Sequence, residues 1–176
     1  YVDLRDQTRT LSGLAAERLV PMRLAGPPAE VLAGAVVSAN FFQVMGVRPA
    51  LGRVLEPEDE RGPHAVAVLS HTEWQRRFGG DPKILNQTIT LSSQSYTVIG
   101  VMPASFQFGE TNLWTPMAFT AQEAQNHGGH YVSAIGQLKP GAAVDQARAE
   151  MGAIAGRLAA QYPEANTGWR VMLMPL

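Results

Sequence analysis

The feature that most constrains the fold is an abrupt change from a strand pattern to a helix pattern near the middle of the chain. Ala65 to Leu69 form a continuous apolar run, which is typical of a buried strand. Ser70 and Glu73 follow with the spacing of a capping box, and Trp74 stands where it can form a hydrophobic staple with the end of that run. The pattern predicts a helix that begins after Ser70 and ends at Gly79, so strands and helices must pack together here.

Apolar patterns of both kinds also occupy the first fifty residues. Apolar residues between Leu4 and Ala15 recur at helical spacing, which predicts a short amphipathic helix. Glu17 to Leu24 and Glu30 to Val37 have strand composition and are separated by turn-forming residues, so we expect a β-hairpin. Ser38 is placed to cap a following helix that ends at Gly46.

The second half of the chain predicts a further hairpin and a strand-helix-strand unit. The hairpin joins Gln87 to Leu91 with Tyr96 to Met102, although its Ser-Ser-Gln turn lacks the Asn-Gly residues that tight turns prefer. Tyr131 to Leu138 is predicted as a strand, and Val144 to Tyr162 as the longest helix, with a regular apolar stripe. A closing strand is expected from Trp169 to Met174.

A polar, turn-rich stretch divides these elements into two lobes. Apolar periodicity is lost from Gly52 to Pro63, where four acidic residues and Arg61 occur. We therefore predict an α+β fold of two lobes, in which residues 53–109 form a smaller α+β lobe. That lobe is inserted into an α/β lobe built from both chain ends, residues 1–52 and 110–176.

Composition excludes several classes of protein. With 45% hydrophobic residues the 176-residue chain can bury a core, and its net charge of -1 argues against a nucleic-acid partner. Charged residues make up 16%, against roughly 25% in an average soluble domain, so we expect a partner or a neighbouring subunit to cover part of the surface. The absence of cysteine excludes disulfides and thiolate metal sites. No apolar run approaches the ~18 residues of a membrane span, and both ends of the sequence suggest a longer chain.

The sequence offers little catalytic chemistry. His127 and His130 are the only residues arranged to bind a metal, and they define one alternative: a free-standing, soluble, metal-assisted enzyme. Two ligands are too few, and no His-Glu-x-x-His pattern supports them. The acidic loop residues and the pair Arg76 and Arg77 are expected to be solvated surface. There is no nucleophile elbow and no phosphate-binding loop, so we predict that the chain is not an enzyme and has no catalytic, cofactor-binding or metal-binding residues.

A series of short segments, taken in order and spacing, gives a far more specific signal than any one of them. They are Val37-Ser38-Ala39-Asn40-Phe41-Phe42, Gly46-Val47-Arg48-Pro49, Leu51-Gly52-Arg53, Val68-Leu69-Ser70, Trp74-Gln75-Arg76-Arg77-Phe78-Gly79-Gly80-Asp81-Pro82, Tyr96-Thr97-Val98-Ile99-Gly100-Val101-Met102-Pro103, Leu138-Lys139-Pro140-Gly141, Tyr162-Pro163 and Pro175-Leu176. Together they resemble the periplasmic core domain of MacB-like and FtsX-like ABC-transporter permeases over nearly the whole chain.

The resemblance implies an efflux or transport role without catalysis. It implies an inner-membrane permease whose periplasmic segment is this chain, with a porter-like lobe at residues 1–52 and 110–176 and a sabre-like lobe at 53–109. It further implies a second permease copy, a cytoplasmic ATPase, fused or separate, that uses the ATP, and in some members a periplasmic adaptor and an outer-membrane channel. A stand-alone periplasmic binding or adaptor module remains a further alternative, and the transported substrate is left open.

Overall fold

The computed structural model describes residues 1–61, 65–118, 123, 129 and 131–175. Two compact units make up the chain: a terminal unit of Tyr1–Ala16 with Phe119–Leu176, and a central unit of Glu17–Ala118. The boundaries of these units differ from those of the lobes expected from the sequence, residues 1–52 with 110–176 and residues 53–109. The porter-like and sabre-like lobes therefore stay a prediction. The mixed α+β class is confirmed, because both units combine strands with helices.

The central unit contains most of the strands. Its strands are residues 17–24 of β1 (Leu11–Leu24), β2 (Glu30–Val37), β3 (Leu51–Gly52), β4 (Val66–Leu69), β5 (Thr88–Leu91), β6 (Gln94–Val101) and β7 (Leu113–Pro116). Their hydrogen-bonded order is β2-β7-β4-β6-β5-β1, and β1 pairs again with β2. β2 and β7 are parallel, as are β4 and β6, and the other pairings are antiparallel. The strand order therefore returns to its starting strand and forms a closed ring.

Both predicted hairpins of the central unit are confirmed. β1 and β2 pair in a continuous antiparallel register from Glu17 opposite Val37 to Leu24 opposite Glu30. The core of the unit comes from alternate residues of the ring strands, including Leu24, Leu32 and Leu69. Alternation along a strand sends neighbouring side chains to opposite faces, so the other residues of the hairpin point away from this core.

The helix α3 (His71–Phe78) begins where the sequence predicted, and only half of its capping box forms. The backbone N–H of Glu73 donates to Ser70 Oγ at 3.1 Å, and Gly79 ends the helix with φ of 62°. The reciprocal bond is absent from the described contacts, because the backbone N–H of Ser70 donates to the carbonyl of Asn112 at 2.8 Å. The Glu73 carboxylate turns to Arg76 instead, at 2.8 Å.

The preceding helix is shorter than expected and has a different cap. α2 covers Phe41–Val44, and Asn40 occupies its N-cap position. The expected cap, Ser38, donates its hydroxyl to Asn40 Oδ1 at 2.7 Å, and its carbonyl accepts the backbone N–H of Phe41. Gly46 follows the helix with φ of 67°, as predicted. A 3₁₀ turn, Pro82–Ile84, is the remaining helical element described in the central unit.

The terminal unit is a small α+β arrangement around one long helix. It contains α1 (Val2–Gln7), residues 11–16 of β1, β8 (Ser133–Leu138) beside them, α4 (Val144–Gln161) and α5 (Pro163–Asn166). Its core joins Leu11 and Leu14 of β1 to Ala147, Met151 and Ile154 of α4. The long helix and the strand before it are confirmed.

Two predictions fail in the terminal unit. The first helix was expected to reach Ala15, but it ends at Gln7 and the chain is a strand from Leu11. Leu11 and Leu14 reach the same core from strand positions, so their spacing did not require a helix. The closing strand expected from Trp169 to Met174 is not formed in the described residues, although Val171 and Leu173 still pack on the core.

The turn of the second hairpin carries backbone strain that can be relieved. Ser92 and Ser93 both have positive φ, 48° and 71°, a region that favours glycine. Ser92 Oγ also accepts the backbone N–H of Arg23, so Ser93 is the residue to replace. We expect Ser93→Gly to raise the free energy of unfolding by roughly 0.5–1 kcal/mol in urea titrations.

Ser95→Gly provides the matched control for this change. Ser95 is exposed and pairs with Thr90 inside the same hairpin. Glycine at this position has a lower preference for strand structure than serine, and it relieves no backbone strain in the turn. It should lower the free energy of unfolding by roughly 0.5–1 kcal/mol. If Ser93→Gly destabilises the protein as Ser95→Gly does, the left-handed turn is not formed.

Candidate functional site

The histidine pair singled out in the sequence lies outside the described residues. His127 and His130 are not among them, and neither is His64. Among the residues that the structure does describe, there is no group of three or more His, Cys, Asp or Glu side chains able to hold a metal ion. His71 stacks edge-on against Trp74 at a ring distance of 5.5 Å, which is a packing contact at the start of α3.

Two carboxylates of the acidic loop, Asp59 and Glu60, form hydrogen bonds that hold the loop in place. Arg53 donates to both carboxylate oxygens of Asp59, at 2.6 and 2.9 Å, and Asp59 also accepts the backbone N–H of Glu56. Glu60 accepts the backbone N–H of Ala39 at 2.6 Å, just before α2. Asp59 and Glu60 thus hold the loop, which differs from the solvated surface expected from the sequence. Glu56 and Glu58, by contrast, are exposed as expected.

The pair Arg76 and Arg77 is likewise engaged within the central unit. Arg76 bridges Glu73 at 2.8 Å and Glu30 at 2.9 Å. Arg77 donates to the carbonyl of Pro28 at 2.6 Å. Both arginines therefore join α3 to the turn of the β1–β2 hairpin.

The terminal unit contains a dense hydrogen-bond cluster, which we call the Glu150 clamp: Glu150 with Thr8, Arg9 and Thr10. Glu150 projects from α4 and accepts the hydroxyl and the backbone N–H of Thr10, the backbone N–H of Arg9 at 2.8 Å, and the hydroxyl of Thr8 at 3.0 Å. One carboxylate thus fixes the turn between α1 and β1 against the long helix. This tie also explains why the first helix stops at Gln7.

The clamp changes the acidity of its carboxyl group. Burial alone would raise the pKa of Glu150, but the hydrogen bonds from Thr10, Arg9 and Thr8 outweigh it and lower the pKa from 4.5 to about 2. A pKa that is lower in the folded state means stability that is fully present above about pH 4.5. This stability is lost as the pH falls toward the folded value of about 2.

We therefore expect Glu150→Gln to destabilise the protein at neutral pH. The variant's free energy of unfolding should also fall less steeply as the pH is lowered. The amide cannot accept all four donors as a carboxylate does, and the expected loss is about 1–3 kcal/mol. Between about pH 5 and about pH 2.5 the wild type should lose more unfolding free energy than the variant does. Urea titrations at both pH values measure these losses.

Glu164→Gln, at an exposed glutamate of the same unit, is the control. Equal losses in wild type and Glu150→Gln would contradict the clamp.

An open cleft of about 660 Å³ lies on the central unit, and we call it the hairpin cleft. Its floor is the outward side of the β1–β2 hairpin, and its wall is the loop before β7. The lining residues are Glu17, Leu19–Pro21, Val31–Gly34 and Phe108–Thr111. This cleft is a concave surface of the central unit that is open to a partner.

Aromatic stacking fixes the wall of the cleft. Phe108 stacks edge-to-face on Phe41 at a ring distance of 5.2 Å, and Phe41 stacks in the same way on Phe42. Phe42 in turn contacts Trp114 of β7 at 5.5 Å. Phe41, Phe42 and Trp114 are fully buried. The loop that carries Phe108 is therefore anchored to the core of the unit.

The floor of the cleft is apolar and exposed. Leu19 is 63% exposed and Val31 is 65% exposed, and both are large apolar side chains. In the register Pro21 lies opposite Ala33, and both are exposed on the same outward face as Leu19; Ala35, opposite Leu19, is buried. This surface was not among the features predicted from the sequence. Its signal was the occurrence of apolar residues at both odd and even positions of the two strands, as in Leu19-Val20 and Val31-Leu32.

One end of the cleft carries a carboxylate with a buried oxygen. Glu17 Oε2 is buried and has no hydrogen-bond partner among the described residues. Burial raises the pKa of Glu17. Glu110, on the wall of the cleft, is exposed. The lining residues include these two acidic side chains and no lysine, arginine or histidine.

Comparison with known proteins identifies the class to which this architecture belongs. Residues 4–154 match the family model described as the MacB-like periplasmic core domain. The match covers most of the chain, and the chain therefore belongs to this family. In the described part of the chain, none of the helices combines the length and the hydropathy that crossing a membrane requires.

Curated relatives are much longer than this chain. The macrolide export ATP-binding/permease protein MacB of Burkholderia thailandensis is 31% identical over 103 residues, which are 56% of this chain and 16% of that protein. The probable syringafactin export ATP-binding/permease protein SyfD of Pseudomonas syringae pv. syringae is 33% identical over 84 residues, or 46% of this chain and 13% of that protein. The chain thus corresponds to a small part of these transporters.

Solved structures share the fold. The periplasmic region of MacB from Actinobacillus actinomycetemcomitans has a TM-score of 0.69 at 16% identity, covering 94% of this chain and 75% of that one. The extracellular domain of the noncanonic ABC-type transporter YknZ from Gram-positive bacteria has a TM-score of 0.71 at 15% identity, covering 98% and 88%. At this identity the likeness concerns the fold.

Proposed function

We propose that this chain is the extracytoplasmic domain of an inner-membrane ABC-transporter permease, and that it couples ATP-driven motion of a permease dimer to the export or handling of periplasmic substrates. The observation that carries this proposal is the family match over residues 4–154. The curated relatives support it, because their names describe export ATP-binding/permease proteins.

The partners follow from the same reasoning. The dimer requires a second permease copy, and the ATP is hydrolysed by a cytoplasmic ATPase, either fused to the permease or separate. A periplasmic adaptor and an outer-membrane channel would continue the export route. The domain itself uses no cofactor in this proposal, since the chain has no phosphate-binding loop.

The physical requirement for coupling is that each unit moves as a stiff body. A soft unit would absorb a displacement at one end before it reached the other. The Glu150 clamp supports stiffness in the terminal unit, because it joins the turn after α1 to the helix α4 through four hydrogen bonds. The closed strand ring and its apolar core support stiffness in the central unit.

The alternatives have less support. A free-standing metal-assisted enzyme would depend on His127 and His130, which supply two ligands where a catalytic site needs three. A stand-alone periplasmic module agrees with the fold, but the curated relatives named above are described as permeases. The permease role is therefore the proposal that we favour.

Fractionation of the native host tests the permease proposal directly. An antibody against this segment should detect a membrane-bound band much larger than 19.0 kDa. Protease added to spheroplasts should digest that band from outside, because the proposed domain faces the periplasm. A cytoplasmic protein of known location, probed in the same samples, reports whether the spheroplasts stayed intact. A soluble band near 19.0 kDa would contradict the proposal.

A further inference from the structure

The hairpin cleft has the composition of a protein-binding surface. Leu19 and Val31 expose about two thirds of their area on one side of the β1–β2 hairpin, and Pro21 and Ala33 between them are also exposed. A contiguous apolar patch on a surface commonly marks an interaction site. The low content of charged residues, 16%, agrees with a surface that a partner covers.

The open shape of the cleft favours a protein as its occupant over a small molecule. Small-molecule sites enclose most of the surface of their ligand in a concave pocket. Here Leu19 and Val31 remain 63% and 65% exposed, so the floor is an open face. Such a face matches a protein contact, in which apolar side chains at the centre are surrounded by polar residues at the rim.

The acidic side chains of the cleft favour an occupant that carries a positive charge. Glu17 and Glu110 lie among the lining residues, and no basic side chain lies among them. Arg23 is opposite Val31 in the register, but it does not line the cleft. A cation on the occupant would interact with the carboxylate of Glu17, whose buried oxygen has no partner among the described residues.

We propose that the hairpin cleft docks an apolar polypeptide segment that carries a lysine or arginine and belongs to a separate partner protein. Leu19 and Val31 contact the apolar side chains of that segment, and Glu17 and Glu110 pair with its basic residue. The proposal deepens the function proposed above, and it rests on that function in one respect: the partner must be exposed in the same compartment as the domain.

Photo-crosslinking in the native host tests this docking proposal. The photoreactive residue p-benzoylphenylalanine replaces Leu19 in the full-length protein, and a matched strain carries it at Gln87, an exposed residue that does not line the cleft. Illumination should join the Leu19 position, and not the Gln87 position, to a different protein. Mass spectrometry of the adduct should identify a peptide with apolar residues next to a lysine or arginine.

The charges are tested in the same crosslinking strain. Replacing both carboxylates, Glu17→Gln with Glu110→Gln, should lower the yield of the adduct roughly threefold to tenfold. The double variant should remain folded, because glutamine at position 17 has nearly the same shape as glutamate and replaces a carboxylate that has a buried oxygen with a neutral amide, whose burial costs less. Its unfolding midpoint in urea verifies this. Glu58→Gln with Glu164→Gln, which removes two exposed carboxylates outside the cleft, serves as the charge-matched control.

Three results would overturn the docking proposal: an adduct with a second copy of this chain, no protein adduct at Leu19, or an adduct whose yield the double variant leaves unchanged. Fractionation of the same strain is scored separately. A membrane-bound band without a Leu19 adduct overturns the docking proposal and leaves the permease proposal standing. A soluble band near 19.0 kDa overturns the permease proposal whether or not an adduct forms.

Discussion

The closure of the strand ring in the central unit is the constraint on which most of its structure depends. β1 pairs with β2 along residues 17–24, and it meets β5 at Leu24 opposite Leu91. Two backbone bonds extend this seam: the N–H of Ala25 to the carbonyl of Thr90 at 2.9 Å, and the N–H of Ser92 to the carbonyl of Arg23 at 2.8 Å. Because the seam turns one face of the hairpin to the core, Leu19 and Val31 lie on the opposite face, where both side chains are exposed.

The two units combine stiffness with a surface for contact. In the terminal unit, the Glu150 clamp holds the turn between α1 and β1 through four hydrogen bonds to one carboxylate. In the central unit, aromatic stacking from Phe108 to Phe41 holds the wall of the hairpin cleft against the core. The coupling role proposed above needs this combination, because a partner can be moved only by a surface that does not deform.

Local signals in the sequence predicted those elements that local chemistry determines. Ser70 and Gly79 mark the ends of a helix through a cap and a left-handed residue, and both were found there. The strand at Leu11 was missed, because its apolar spacing also fits a helix and the deciding contact comes from Glu150, far along the chain. The hairpin cleft was missed for a similar reason. Which face of an apolar strand is buried depends on its distant strand partners, which the sequence pattern does not specify.

Amide hydrogen exchange at the seam of the ring tests the account most directly. If the ring is closed, the backbone amides of Ala25 and Ser92 should exchange at least about 100-fold more slowly than in an unstructured peptide. They should then resemble the amide of Val98, which donates to the carbonyl of Gln87 inside the same unit. Exchange of both seam amides at the rate of an unstructured peptide, with Val98 still protected, would show that the ring is open. The outward face of the hairpin, and the cleft built on it, would then lose their structural basis.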